Sequence, residues 1–286
     1  MCAYALLGPV IDTFAKLSGS AIPSAQITAA RFIIQSCGLL IPILILGHSL
    51  RIVTADIWKH AVRGIFIAGA TICIFTAIQY MPIADAISIF FVEPLILTLL
   101  GGLILGEKVG WRRYLACAVG FVGALIVIRP SFETLGWPAI LPLGSAVMFA
   151  CYLILTRSMV HKTGALAMQF YSGLSGAIFT VAILYAFDGS GSVTFDPVIP
   201  EGKYWLLLLG VGITATVAHL FLVSAFAHAP ASILAPFQYL EIVTATILGF
   251  WIFDNFPDAM KWLGISIIIF SGLFVFWREK TVSNQY

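Results

Sequence analysis

Pro82–Arg113 reads PIADAISIFFVEPLILTLLGGLILGEKVGWRR. After Asp85 the run is apolar except for one carboxylate, Glu93, and it closes on a Gly-Glu-Lys turn and a basic cluster. Pro230–Lys261 reads PASILAPFQYLEIVTATILGFWIFDNFPDAMK and repeats the plan. A fixed offset of 148 places Pro82 on Pro230, Glu93 on Glu241, Thr98 on Thr246, Leu100 on Leu248 and Gly101 on Gly249 without a gap. Such self-similarity marks an internal repeat. A lone carboxylate deep in lipid costs roughly 3 kcal/mol on insertion scales. A chain that accepts this cost at the same place in both halves is expected to use the group.

Of the 286 residues, 60% are hydrophobic and 10% charged, and the mean hydropathy is +1.03. Soluble domains average about 25% charged residues. Recurrent apolar runs therefore predict an all-α polytopic membrane protein embedded in a lipid bilayer. The approximate spans are 2–17, 24–47, 61–80, 84–106, 112–129, 137–157, 165–187, 204–227, 231–253 and 260–277. A net charge of +2 gives no reason to expect a nucleic-acid partner. The five cysteines lie in apolar stretches with no metal-ligand spacing, so no metal or cofactor is expected. The first run contains Asp12 and Lys16 and lacks a basic leader, which predicts a retained helix; it begins so near Met1 that a start further upstream is expected.

Loop cations set the orientation. With the N-terminus cytoplasmic, Arg51, Lys59, Arg63, Lys108, Arg112, Arg113, Arg157, Lys162, Arg278 and Lys280 fall inside, and Lys16, Arg129, Lys203 and Lys261 outside. The bias predicts both termini in the cytoplasm and a plasma (inner) membrane location. Five spans per repeat is an odd number, so the second half, 131–286, enters the membrane inverted relative to the first, 1–130. Ten transmembrane helices in two inverted five-helix repeats around a central cavity are the expected architecture, which is how secondary transporters are built. Gly102/Gly106, Ala116/Gly120 and Ser172/Gly176 supply small faces for close helix packing.

Two stretches resemble the EamA family of the drug/metabolite transporter superfamily. Met81–Pro130 carries Pro94, Gly106–Glu107, Gly120 and Gly123, and Ala235–Glu279 carries Pro257–Asp258, Gly264 and Ser271–Gly272. The resemblance implies ten helices, an inverted repeat, a central cavity and transport of amino acids, their derivatives, vitamins or other metabolites. The family's second Gly-Glu is replaced here by Asp254–Asn255.

Glu93 and Glu241 lead the candidate substrate-binding residues, as ligands for a cationic or zwitterionic compound or as proton acceptors; the alternative is a structural carboxyl bonded to a neighbouring helix. Gln238 shares a helical face with Glu241. Tyr239 and Phe90 are candidates to stack on a ligand, with lipid-facing packing as the alternative. Asp12 is placed either on the pathway or in a local pair with Lys16, four residues on. Arg31 is expected to meet Asp12 or a ligand carboxylate. His219 reads as a satisfied core histidine or a member of a proton relay. Tyr152 completes the set.

No Walker A, HExxH or GxSxG sequence is present, which argues against an ATP motor and against an enzyme. The expected function is secondary-active transport of a small organic metabolite by alternating access, with the proton a candidate coupling ion and the chain a monomer or weak dimer. A flippase for lipids or lipid-linked sugars is the alternative.

Overall fold

The computed structural model describes residues 1–45, 56–104, 111–159, 163–228 and 237–283. Every regular element among them is helical. In chain order they are α1 Cys2–Ser18, α2 Ser24–Ile45, α3 Ile57–Tyr80, α4 Ile83–Phe90, α5 Glu93–Ile104, α6 Trp111–Leu135, α7 Leu141–Met159, α8 Ala165–Ala186, α9 Tyr204–His228, α10 Leu240–Phe253 and α11 Ala259–Ser283, with a 3₁₀ turn, Trp137–Ile140, before α7. Among the described residues six stretches are long and apolar enough to cross a membrane: Ser24–Ile45, Ile57–Tyr80, Ile83–Leu100, Trp137–Met159, Ala165–Ala186 and Tyr204–Ala225. Tyr114–Ile128, Leu240–Phe253 and Ala259–Phe274 are shorter apolar helices. The chain is a multi-pass, all-helical membrane protein. Arg51, Gly106–Glu107, Lys108, Lys162 and Pro230, named above, lie outside the described residues, as do the side chains of Arg113, Arg129, Arg278 and Lys280.

The fourth predicted span is two helices. Pro94 has no amide hydrogen, and its ring would collide with the carbonyl of Phe90 one turn back. The chain turns through Phe91 and Val92, and α5 starts at Glu93. A turn at Tyr239 likewise precedes α10. Each break leaves a glutamate in the first turn of the next helix, where unpaired backbone N–H groups favour a carboxylate. The rings of Phe91 and Tyr239, 148 residues apart, lie 5.3 Å from each other. By contrast, α6 runs past its expected end at 129 to Leu135 and stops at Gly136, whose φ of +70° suits glycine.

Helices of the first half pack on helices of the second, and the contacts come in exchanged pairs. α1 lies on α9 as α3 lies on α7; α2 lies on α9 as α3 lies on α8; α1 meets α10 as α4 and α5 meet α7. α2 meets α8, and α6 meets α11. In the last pair Ser271 Oγ donates to the carbonyl of Ala116, while a β-carbon on Gly264 would stand 2.8 Å from the carbonyl of Gly123. The register makes α6 and α11 antiparallel. Contact this close needs bare backbone, which is the use of small residues where lipid gives no hydrophobic drive.

At one end of the bundle Lys16 Nζ donates to the carbonyls of Ile78 (2.7 Å) and Met81 (2.6 Å). The local Asp12–Lys16 pair is therefore not formed; the lysine stem is long enough to reach chain ends that have lost their helical partners. Beside it Lys261 Nζ, on α11, pairs at 2.7 Å with the buried Asp85 of α4.

Arg63, counted above among the loop cations, is wholly buried inside α3. Nε donates to Thr156 Oγ1 (2.8 Å), Nη1 to the Met168 carbonyl (2.8 Å) and to Ser172 Oγ, and Nη2 to the Tyr152 hydroxyl (2.8 Å) and Gln169 Oε1 (3.3 Å). The guanidinium also lies 4.5 Å from the Tyr152 ring centre. All five N–H groups are met by neutral partners on α7 and α8. Arg63→Met is expected to destabilise the detergent-solubilised protein by about 3 kcal/mol, since charge-assisted bonds contribute about 1.5–3 kcal/mol each and do not add fully. Arg63→Lys should recover only part of this, because an ammonium lacks the planar fork. Equilibrium unfolding of both variants checks it; wild-type stability in Arg63→Met would show the clamp to be idle.

Candidate functional site

A cavity lies where the two halves meet, lined by Tyr4, Gly8, Ile11 and Asp12 of α1, Arg31 of α2, Ile67, Ala70, Thr71, Ile74 and Phe75 of α3, Ile87 and Phe90 of α4, Ser145 and Phe149 of α7, His219 of α9 and Glu241 of α10. Its volume is about 70 Å³, room for a few water molecules. An organic ligand needs these helices to part.

Five residues of the sequence reading meet here: Asp12, Arg31, Phe90, His219 and Glu241. The other four do not line the cavity. Glu93 is 1% exposed, with Oε1 enclosed and unpartnered. Tyr239 packs on Phe91 and directs its hydroxyl at the backbone of Gly272. Gln238 is buried beside it in sequence, at the turn before α10. Tyr152 belongs to the Arg63 cluster, one ring away from the cavity through Phe149, whose centre lies 5.4 Å from its own.

The polar groups of the lining are unevenly satisfied. Arg31 Nη1 donates to Thr71 Oγ1, and Nη2 lies 3.0 Å from His219 Nε2. His219 Nδ1 stands 3.1 Å from the Ala215 carbonyl. A carbonyl only accepts, so Nδ1 carries the ring hydrogen and Nε2 offers its lone pair to the guanidinium. His219 is thus a neutral bracket for Arg31, with Tyr4 edge-on to its ring at 5.6 Å. Arg31 Nε is buried with no partner. Among the described residues neither Asp12 nor Glu241 makes a hydrogen bond or ion pair, although both are at least nine-tenths buried. The carboxyl of Glu241 is seated against α1 at Gly8, where a β-carbon would come within 2.9 Å of Cδ.

Sequence reasoning missed Tyr4, Gly8, Thr71, Ser145 and Phe149. Thr71 and His219 are 148 residues apart, as are Tyr4 and Tyr152. Extending the repeat beyond 82–113 is the signal that finds Thr71 and Tyr4; Gly8 carries none.

The chain matches the EamA-like transporter family over residues 2–129 and again over 136–277. It is similar to an S-adenosylmethionine uptake transporter of Rickettsia conorii, 26% identical over 282 residues covering 96% of this chain and 90% of that protein. A riboflavin transporter of Rhizobium johnstonii is 29% identical over 222 residues, 78% of this chain and 71% of its own. A pseudopaline exporter of Pseudomonas aeruginosa is 27% identical over 262 residues, 91% and 88% of the two chains. Among solved structures, a crystal structure aligns with a TM-score of 0.66 at 18% identity, covering 95% of this chain and 93% of the other, which shows a shared fold.

With the native cysteines replaced by serine, single cysteines at Asp12 and Glu241 are expected to react with a small methanethiosulfonate reagent several times faster than one at Glu93. Equal rates at 93 and 241 would displace the cavity from this set of helices.

Proposed function

This chain belongs to the EamA-like transporter family and is a transporter rather than an enzyme; we propose that it is a secondary-active carrier of small organic metabolites, amino acids or related zwitterionic and cationic compounds, working by alternating access. One observation carries the reading. Asp12, Arg31 and Glu241, from helices of both halves, face one cavity with no ion pair between them. Charged groups held apart in a low-dielectric interior cost free energy. A ligand of mixed charge that enters between them offsets that cost.

The two halves, 1–130 and 131–286, form an inverted pair in this reading, and they rock about the cavity. The exchanged helix contacts and the antiparallel α6–α11 pair support it, since a helix and its repeat mate that run antiparallel require the repeats to be inverted. Both termini are cytoplasmic in an inner membrane; the loop-charge bias keeps its sign when the buried Arg63 is removed from the inside set. Glu241 and Asp12 are the ligand or proton carboxyls. Glu93, Gln238, Tyr239 and Tyr152 join the pathway only in a conformation that widens the cavity. The flippase reading draws less support, because two acids and one cation in the lining disfavour a lipid phosphate.

Glu241→Gln is expected to abolish counterflow in proteoliposomes while the protein still inserts and remains monodisperse, the amide being nearly isosteric. A screen over amino acids, quaternary amines and vitamins, with and without a pH gradient, supplies the substrate and reads the coupling ion. Wild-type rates in Glu241→Gln would remove this carboxyl from the mechanism.

A further inference from the structure

Two buried arginines in this chain are treated differently. Arg63 spends every donor on neutral groups. Arg31, 3% exposed, spends one hydrogen of Nη1 on Thr71 and one of Nη2 on His219; the residue lines the cavity, and its Nε–H is buried without a partner. It makes no ion pair among the described residues. The rest of the fold fixes its plane: the Phe32 ring lies 4.7 Å from the guanidinium carbon, and Thr71 and His219 bracket its two ends from α3 and α9. A guanidinium held this way with Nε–H unspent keeps a donor in reserve for a carboxylate, the partner that best suits its planar fork.

We propose that Arg31 is an anion subsite and that the ligand is amphoteric, with a carboxylate on the Nε edge of Arg31 and a cationic centre between Asp12 and Glu241. The proposal rests on the carrier reading for its site and sharpens it, because it excludes simple cations, which the two acids alone would accept. Charge favours a carboxylate over a phosphate. One guanidinium balances one negative charge, and a dianion would also face Asp12 and Glu241 across the same small space. Tyr4, Phe90 and Phe149 line the cavity with these groups and give the ligand's carbon skeleton an aromatic surface. Thr71 and His219 act here as positioning residues that hold the guanidinium.

The test uses the full chain in detergent and reads binding by thermal stabilisation. The probes are the standard L-amino acids and glycine betaine, each beside its methyl ester, which keeps the cation and removes the negative charge. At least one acid is expected to stabilise the wild type, and its ester to bind about tenfold or more weakly. Arg31→Lys should weaken the acid by a similar factor and leave the ester unchanged; Thr71→Val should weaken the acid through the lost bracket. The acid–ester comparison on the wild type needs no variant to fold. Esters that bind as tightly as acids, a panel with no binder, or an Arg31→Lys protein that retains its preference for the acid would each overturn the proposal. Proteoliposome counterflow separates the two claims. Binding of the acid without counterflow refutes the carrier reading and leaves the subsite standing, whereas counterflow of an ester as fast as its acid keeps the carrier and removes the subsite.

Discussion

Lipid offers no hydrogen bonds, so each charged group that enters the interior of this chain must be answered by protein. Arg63 meets that constraint in full, and the result is a clamp between α3, α7 and α8. Lys16 meets it with carbonyls freed at the end of α3, and Asp85 meets Lys261 across α4 and α11. Arg31 Nε is buried without a partner, and among the described residues Asp12 and Glu241 make no hydrogen bond or ion pair. The contrast has spatial order. Arg63 and the Asp85–Lys261 pair fasten one half of the chain to the other, Lys16 ties α1 to the end of α3, and Asp12, Arg31 and Glu241 surround the space between the halves. An interior that can satisfy one arginine five times over has the means to satisfy a second, and its failure to do so at one place locates the site.

That space exists because of how the halves pack. A five-helix unit that packed mainly on itself would bury its polar positions in its own core. Here α1, α2 and α3 lie on α7, α8 and α9. The approach is close where side chains are small: at Gly123 against Gly264, at Ala116 against Ser271, and at Gly176, where a β-carbon would stand 3.0 Å from the Phe32 ring. Breaks before Glu93 and Glu241 complete the arrangement, since each leaves the unpaired backbone N–H groups of a helix start beside a buried glutamate.

Much of this was legible in the sequence. Apolar runs placed the described helices, with the fourth expected span divided in two, because a segment that enters lipid has to be apolar whatever its neighbours are. The fourth span was expected to be one helix over 84–106, although Pro94 carries the signal for the break that divides it. The offset of 148 picked out Glu93 and Glu241, and an intramembrane charge drew attention to Asp12 and Arg31. What escaped was set by neighbours distant in sequence. Arg63 looks like a loop cation because it lies near the start of its span; its partners on α7 and α8, Thr156 and Ser172 among them, lie some hundred residues away. The Asp12–Lys16 pair, plausible at four residues' spacing, lost to backbone carbonyls that a sequence does not display. Gly8 carries no signal at all, since its contribution is the absence of a side chain beside Glu241.

The two glutamates show why a repeated sequence need not give a symmetric site. At the offset of 148, Gly8 on α1 stands where α7 has Thr156, and Arg63 on α3 stands where α9 has Val211. Beside Glu241 the glycine leaves room, and the carboxyl sits in the cavity wall. At the equivalent place in the other half, the threonine hydroxyl accepts from Arg63, and Glu93 is shut away from the cavity. Thr71 and His219, also 148 apart, converge on one guanidinium that has no counterpart, because Phe179 occupies the position matching Arg31. Two matched frames therefore enclose a polar set that is all but confined to one copy of each pair. A cavity built from two identical sets of side chains would present the same face in either orientation. This one does not, and an amphoteric molecule bound in it has a single favoured direction, with its negative end toward α2 and its positive end toward α1 and α10.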